Sequence, residues 1–161
     1  MISDCFFFER KIFLADNYDL FENIRRKTND EYDRMASSFG MSKGEMMIIW
    51  SLFDFGRPCT QKEICRDWLA NKQTINSAAK KLIEEGIIDI APSPENLREK
   101  LLLFTEKGKF LAMRTAEKLV KAERNAFSRL SEEEQAESIR ISQKHFEFLK
   151  EEFEKIKGEN E

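Results

Sequence analysis

Positions 71 to 81 read Asn71-Lys72-Gln73-Thr74-Ile75-Asn76-Ser77-Ala78-Ala79-Lys80-Lys81. Gln73 and Asn76 carry amides that both donate and accept, the combination that pairs bidentately with an adenine edge in a major groove. Thr74 suits a thymine methyl or a phosphate, Lys72 and Lys80 suit phosphate or guanine, and Ser77 adds a hydroxyl to the same half-helix. Taken alone, such a run is also an ordinary solvated helix face with its cap. A second group shifts the balance. Arg98 and Lys100 follow Pro92 and Pro94, at the tip of what reads as a hairpin. An arginine there fits a narrow minor groove, whose concentrated negative potential attracts it, and Lys100 fits a neighbouring phosphate. Other chemistries are poorly served. His145 is the chain's one histidine, and there is no phosphate loop and no nucleophile elbow. Glu132-Glu133-Glu134 reads as helix-start charge rather than a catalytic pair. Cys59 and Cys65 have no His or Cys partner at zinc spacing. No enzyme, metal site or cofactor is expected.

These residues must be positioned by their elements. The steps of 3, 4, 4, 3 and 4 between Phe21, Ile24, Thr28, Tyr32, Met35 and Phe39 predict one face of a long helix ending at Gly40. Ser42 and Glu45 form a capping-box pair for a second, largely buried helix carrying Met46, Met47, Ile49, Trp50 and Phe53. Thr60 caps a short helix to about Leu69, with Ile64 and Trp68 facing inward. Asn71 caps the next, Lys72 to Glu85, with Ile75, Ala78 or Ala79, and Leu82 inward and Gly86 as its stop. Two strands follow, 87–90 and 100–104, separated by a segment whose prolines bar a helix or a central strand. Thr105 is expected to cap one long helix to about Ser128. Ser131 and Glu134 start a last helix to about Lys157. The order of two short helices and a hairpin predicts a winged helix-turn-helix, in a mainly α fold with a small β-hairpin wing.

Composition sets outer bounds. A chain of 161 residues, 41% hydrophobic and 35% charged, predicts one soluble globular domain, with room for a dimerisation appendage. The expected organisation is a lobe at 40–108 flanked by dimerisation helices at 1–39 and 109–161. A net charge of −3 excludes a wholly basic, histone-like protein. Residues 57–109 nevertheless hold ten Lys and Arg against eight Asp and Glu, so the basic balance falls in the lobe. Three cysteines make no disulfide framework. No apolar run approaches the ~18 residues of a membrane span, and the start lacks signal-peptide features, so a cytoplasmic location is expected. In the last helix Ile139, Phe146, Leu149, Phe153 and Ile156 fall on a and d positions, with Ser142 in one slot. A seam at the chain end, with Phe21 and Ile24 at the other end, calls for a second subunit.

The layout and three motifs together resemble the MarR family of transcriptional regulators. Residues 71–86 look like the family's recognition helix with its closing glycine. Asn96-Leu97-Arg98-Glu99-Lys100 is similar to its wing motif, Asp-x-Arg-x-Lys, with Asn96 in place of the aspartate that orients wing and arginine. Leu103-Phe104-Thr105-Glu106-Lys107-Gly108 resembles its Leu-Thr-x-x-Gly turn. The resemblance spans roughly residues 17 to 157. It implies a homodimer that binds a pseudo-palindromic DNA site, most often a repressor relieved by a small aromatic or anionic ligand. A ligand pocket would then draw on Tyr32, Met35, Phe39, Met46 and Trp50, residues that by type and spacing are also ordinary core. Two alternatives stand beside this reading. One is a winged-helix protein-interaction module without specific DNA binding. The other is a thiol-based oxidant sensor using Cys5, as in peroxide-sensing relatives, with Arg10 or Lys11 lowering the thiol pKa.

Overall fold

A computed structural model of the chain describes residues 17–94 and 96–158. The expectation for Cys5 lies outside the described residues. By its contacts the chain divides into two compact units, one up to Phe110 and one from Leu111 onward.

In the first unit each helix begins where a side chain satisfies its first N–H groups. Helix α1 is Asn17–Ser38. Helix α2, Lys43–Phe55, opens with the expected capping box. Ser42 Oγ accepts the Glu45 N–H at 3.3 Å, and Glu45 Oε2 accepts the Ser42 N–H at 2.8 Å. A short strand β1, Cys59–Thr60, leads into α3, Gln61–Asp67. Thr60 and Glu63 form a second capping box there. Helix α4, Lys72–Glu84, is capped by Asn71, whose Oδ1 accepts the Gln73 N–H at 2.7 Å. Strands β2, Ile88–Pro92, and β3, Lys100–Phe104, close the lobe.

The hairpin is part of a three-stranded antiparallel sheet ordered β1-β3-β2. Two residues, Cys59 and Thr60, pair with Leu102 and Leu101. A strand this short has no periodicity to read, so the sequence predicts only a two-stranded hairpin. Pro92 ends β2, opposite Lys100 and on an edge strand, where a missing N–H costs no ladder bond. The core joins Ile48, Ile49 and Leu52 of α2, Ile64 of α3, Ile75, Ala78, Ala79 and Leu82 of α4, and Cys59, Ile88 and Leu102 of the sheet. Both Ala78 and Ala79 face inward.

The helix expected over 105–128 is in fact two. Helix α5 is Glu106–Arg114, and α6, Ala116–Phe127, lies in the second unit. The break falls at Thr115, whose backbone leaves the helical region at φ −123°, ψ −80°. Its hydroxyl donates to the Leu111 carbonyl at 2.8 Å, a back-bond that competes with the helix's own ladder and bends helices. β-branched residues also fit a helix poorly. In the second unit Ala116 and Leu119 are buried. Helix α7, Glu132–Gly158, starts with the expected Ser131–Glu134 box, at 2.8 and 3.2 Å. None of its 27 residues is buried.

Candidate nucleic-acid interface

The outer face of α4 is built by its inner one. Ile75, Ala78, Ala79 and Leu82 anchor the helix, and a 3.6-residue period then turns Lys72, Gln73, Ser77 and Lys80 to solvent. Asn76 is half-buried. Thr74 has two faces. It is exposed, yet a Cβ added to Gly44 would meet its methyl at 3.2 Å and the Ala78 Cβ at 3.1 Å. The missing side chain at Gly44 therefore lets the first turn of α2 lie close against α4.

Next to Gly44, Glu45 fixes the same contact electrostatically. Its side chain is almost wholly buried, yet Oε1 lies 2.7 Å from Nζ of Lys81 on α4. Burial pushes this carboxyl's pKa up. The Lys81 ammonium and the Ser42 hydrogen bonds outweigh burial and hold it below the usual carboxylate range. One carboxylate thus caps α2 with one oxygen and holds α4 with the other. Lys81 sits in the recognition-helix sequence, but the structure gives it a positioning contact.

The wing is closed by its own backbone. The Ser93 N–H donates to the Glu99 carbonyl at 2.9 Å, and the Glu99 N–H to the Asn96 carbonyl at 2.8 Å. Asn96 Oδ1 accepts the Arg98 N–H at 3.1 Å. An amide oxygen therefore makes the Asx-type turn that an aspartate oxygen would make, without its charge. Arg98 and Lys100 are exposed beside it.

The base of the wing is tied to the end of α4. The Thr105 hydroxyl donates to the Gly86 carbonyl at 2.7 Å, and its N–H to the Ile87 carbonyl at 3.1 Å. The same hydroxyl oxygen accepts the Gly108 N–H at 3.1 Å. A Cβ on Gly108 would lie 2.0 Å from the Ile87 carbonyl oxygen, so no other residue fits that crossing. The Thr-x-x-Gly spacing is the geometry of this lock.

Ion pairing separates the lobe's cations into two groups. Lys81 is held by Glu45, Lys107 donates to the Glu85 carbonyl, Lys109 pairs with Glu106, and Arg57 pairs with Glu63. Lys72, Lys80, Arg98 and Lys100 have no ion pair or side-chain hydrogen bond among the described residues. The unengaged cations include all four that the sequence singles out. The sequence did not single out Lys62 and Arg66 on α3, which are likewise unengaged. Their signal was only a like-charge i,i+4 spacing.

The five residues named for a ligand pocket lie on α1, the α1–α2 turn and α2. Met46 is buried, Phe39 and Trp50 are half-buried, and Tyr32 and Met35 are exposed on α1. Tyr32 meets Trp50 edge-on with ring centroids 6.4 Å apart, and Trp50 meets Trp68 at 5.8 Å. Trp68 was expected to face inward. It is instead 37% exposed, because its Nε1 donates to the buried Ser51 hydroxyl at 2.8 Å and the ring edge stays at the surface. Of the residues named for dimerisation, Phe21 and Ile24 are exposed on α1, and Phe146, Leu149, Phe153 and Ile156 are exposed on α7. Among the described residues no cluster of His, Cys, Asp or Glu could hold a metal, and no helix is long and apolar enough to cross a membrane.

Residues 39–99 match the model of the MarR family. A MarR family regulator from Neisseria meningitidis has a similar structure, with 22% identity and a TM-score of 0.71 over 91% of this chain and 99% of that one. The MepR–DNA complex of S. aureus is 18% identical with a TM-score of 0.69, covering 83% of this chain and 96% of that one. A MarR regulator from Oenococcus oeni is 17% identical with a TM-score of 0.64, covering 82% and 99%. No curated protein matches the chain. At these identities the structural likeness establishes the fold, and the sequence match covers the central residues 39–99. The chain therefore folds as MarR-family regulators do, and its residues 39–99, which hold α2, α3, α4 and the first wing strand, are similar in sequence to that family.

Proposed function

We propose that this protein is a sequence-specific DNA-binding transcriptional regulator that works as a homodimer. The observation that carries the reading is the pattern of engagement in the lobe. Lys81, Lys107 and Lys109 are held by the protein itself, while Lys72, Lys80, Arg98 and Lys100 have no partner among the described residues and can meet an outside anion. They flank Gln73, Asn76 and Ser77, which present donors and acceptors of the kind that reads base edges. The phosphate contacts would fix the register and the amides would read sequence. The S. aureus MepR structure, which holds DNA, supports the reading by likeness of fold.

The dimer follows from α7. A helix of 27 residues, about 40 Å long, keeps Phe146, Leu149, Phe153 and Ile156 in water unless a second copy covers them. Two recognition helices about one DNA turn apart would read a pseudo-palindrome. Repression relieved by a small aromatic or anionic ligand is the regulatory mode we infer, with Tyr32, Met35, Phe39, Met46 and Trp50 as the pocket. Such a ligand acts only by binding one spacing of the recognition helices better than another.

The test is fluorescence anisotropy of the full chain on DNA from upstream of its own gene, across a salt series, with random DNA as competitor. Specific binding is expected to fall by about 1–3 kcal/mol in Gln73→Ala, with relaxed discrimination at one base position. Arg98→Ala should weaken binding by a similar amount. Binding that ignores sequence, and that neither substitution changes, would leave the winged helix as a protein-interaction module.

A further inference from the structure

A cleft of about 390 Å³ opens between α3 and the tip end of the wing hairpin, within the size range of small-ligand sites. One wall is cationic: Arg57, Lys62 and Arg66. The other, from the wing, includes Pro94, Glu99 and Leu101. No residue of α4 lines it, so it is separate from the face that would read bases.

The charges in this cleft are unevenly satisfied. Arg57 is fixed, with Nη2 on Glu63 Oε1 at 2.8 Å and Nη1 on the Pro58 carbonyl at 3.0 Å. Both oxygens of Glu63 are thereby used, since Oε2 accepts the Thr60 N–H at 2.7 Å. Lys62 and Arg66 have no counter-ion at all among the described residues. They stand four residues apart on one short helix, and both reach the same cleft. Like charges at that spacing repel and destabilise a helix. An outside anion bound between them removes the repulsion. Among the described residues lining the cleft, Glu99 on the far wall is the one acid left over, so the cleft favours a compact oxyanion held on the α3 side with an apolar body against Pro94 and Leu101.

We propose that Lys62 and Arg66 form an oxyanion seat between α3 and the wing, taking a phosphate or carboxylate group. The group can come from a free small anion or from a DNA backbone phosphate, and an anion bridging these two elements would set the angle of the wing.

Two measurements on the full chain separate the sources. Phenyl phosphate is titrated into isotopically labelled protein without DNA, and amide shifts are followed. For a free anion, shifts concentrate in α3 and in the strands of the wing. Affinity then falls at least tenfold in the Lys62→Gln, Arg66→Gln double variant and stays unchanged in a Lys118→Gln control at an exposed lysine of α6. The salt dependence of DNA binding is the second arm. If DNA supplies the phosphate, the double variant lowers the slope of log K against log salt by about 1.8, two contacts' worth. The double variant is expected to melt no lower than the parent, because it removes a repulsion. Unmoved α3 and wing amides together with an unchanged slope overturn the proposal. A chain that binds no DNA leaves the first arm intact, so failure of the regulator reading and failure of the seat are told apart.

Discussion

At the scale of single residues, Leu69 is the clearest conflict between chain and conformation. It follows α3 with φ of +48°, the left-handed region, and is 92% exposed. The Ala70 N–H reaches back to the Cys65 carbonyl at 3.0 Å, so the turn is a helix C-terminal motif that ordinarily takes glycine. A leucine there costs roughly 1 kcal/mol and contributes almost no burial. Leu69→Gly is therefore expected to raise unfolding stability by about 0.5–1 kcal/mol, seen as a higher denaturant midpoint at constant m-value. An unchanged or lower midpoint would mean that the exposed side chain stabilises the turn in some other way. Cys59 shows the opposite relation of residue to site. Burial first, then Glu63, push its thiol up to about 12, so its role in the lobe is that of a small hydrophobe.

At the scale of elements, most boundaries were legible in the sequence because caps are local chemistry. Ser42 with Glu45, Asn71, and Ser131 with Glu134 each needed only a side-chain oxygen and an N–H two or three residues on. The two misses were non-local or competitive. Strand β1 exists because Leu101 and Leu102, more than forty residues on, supply its partners. The break at Thr115 arises where a hydroxyl bond to the Leu111 carbonyl competes with helix continuity, a choice that the residue types on either side do not announce. The polar residues along α4 were legible by type. The contact that seats their helix was not, since nothing in the spacing joins Glu45 to Lys81. That pair makes stability depend on pH. Glu45 titrates below its unfolded value, so its contribution is complete above the ordinary glutamate pKa of about 4.3 and is lost as pH falls through the lowered folded value. Lys81→Met is expected to lower the melting temperature at neutral pH. Its difference from the parent should shrink in acid, as Glu45 takes up a proton. A gap that stays constant down to strongly acid pH would show that Lys81 contributes only through packing.

At the scale of the whole molecule, the apolar surface is distributed very unevenly. In α1 only Ala36 is buried, and in α7 nothing is. Isolated helices are marginal in water, and tertiary packing normally supplies their stability. Replacing Phe146 and Phe153 together by Glu is expected to halve the sedimenting mass and to reduce the helical circular dichroism. Retention of the parental mass would overturn the proposed dimer seam on α7. A final consequence concerns light rather than binding. The chain has two tryptophans, and both stand in one edge-to-face contact with ring centroids 5.8 Å apart. Their indoles are close enough to share excitation, so the tryptophan emission and the tryptophan bands of the near-ultraviolet dichroism report one address, where α2 meets α3 beside Tyr32 of α1. An effector or a DNA site that moves α1 against the helix-turn-helix should change that coupled signal without any label, and Trp68→Phe should abolish the coupling while leaving Trp50 as a single emitter.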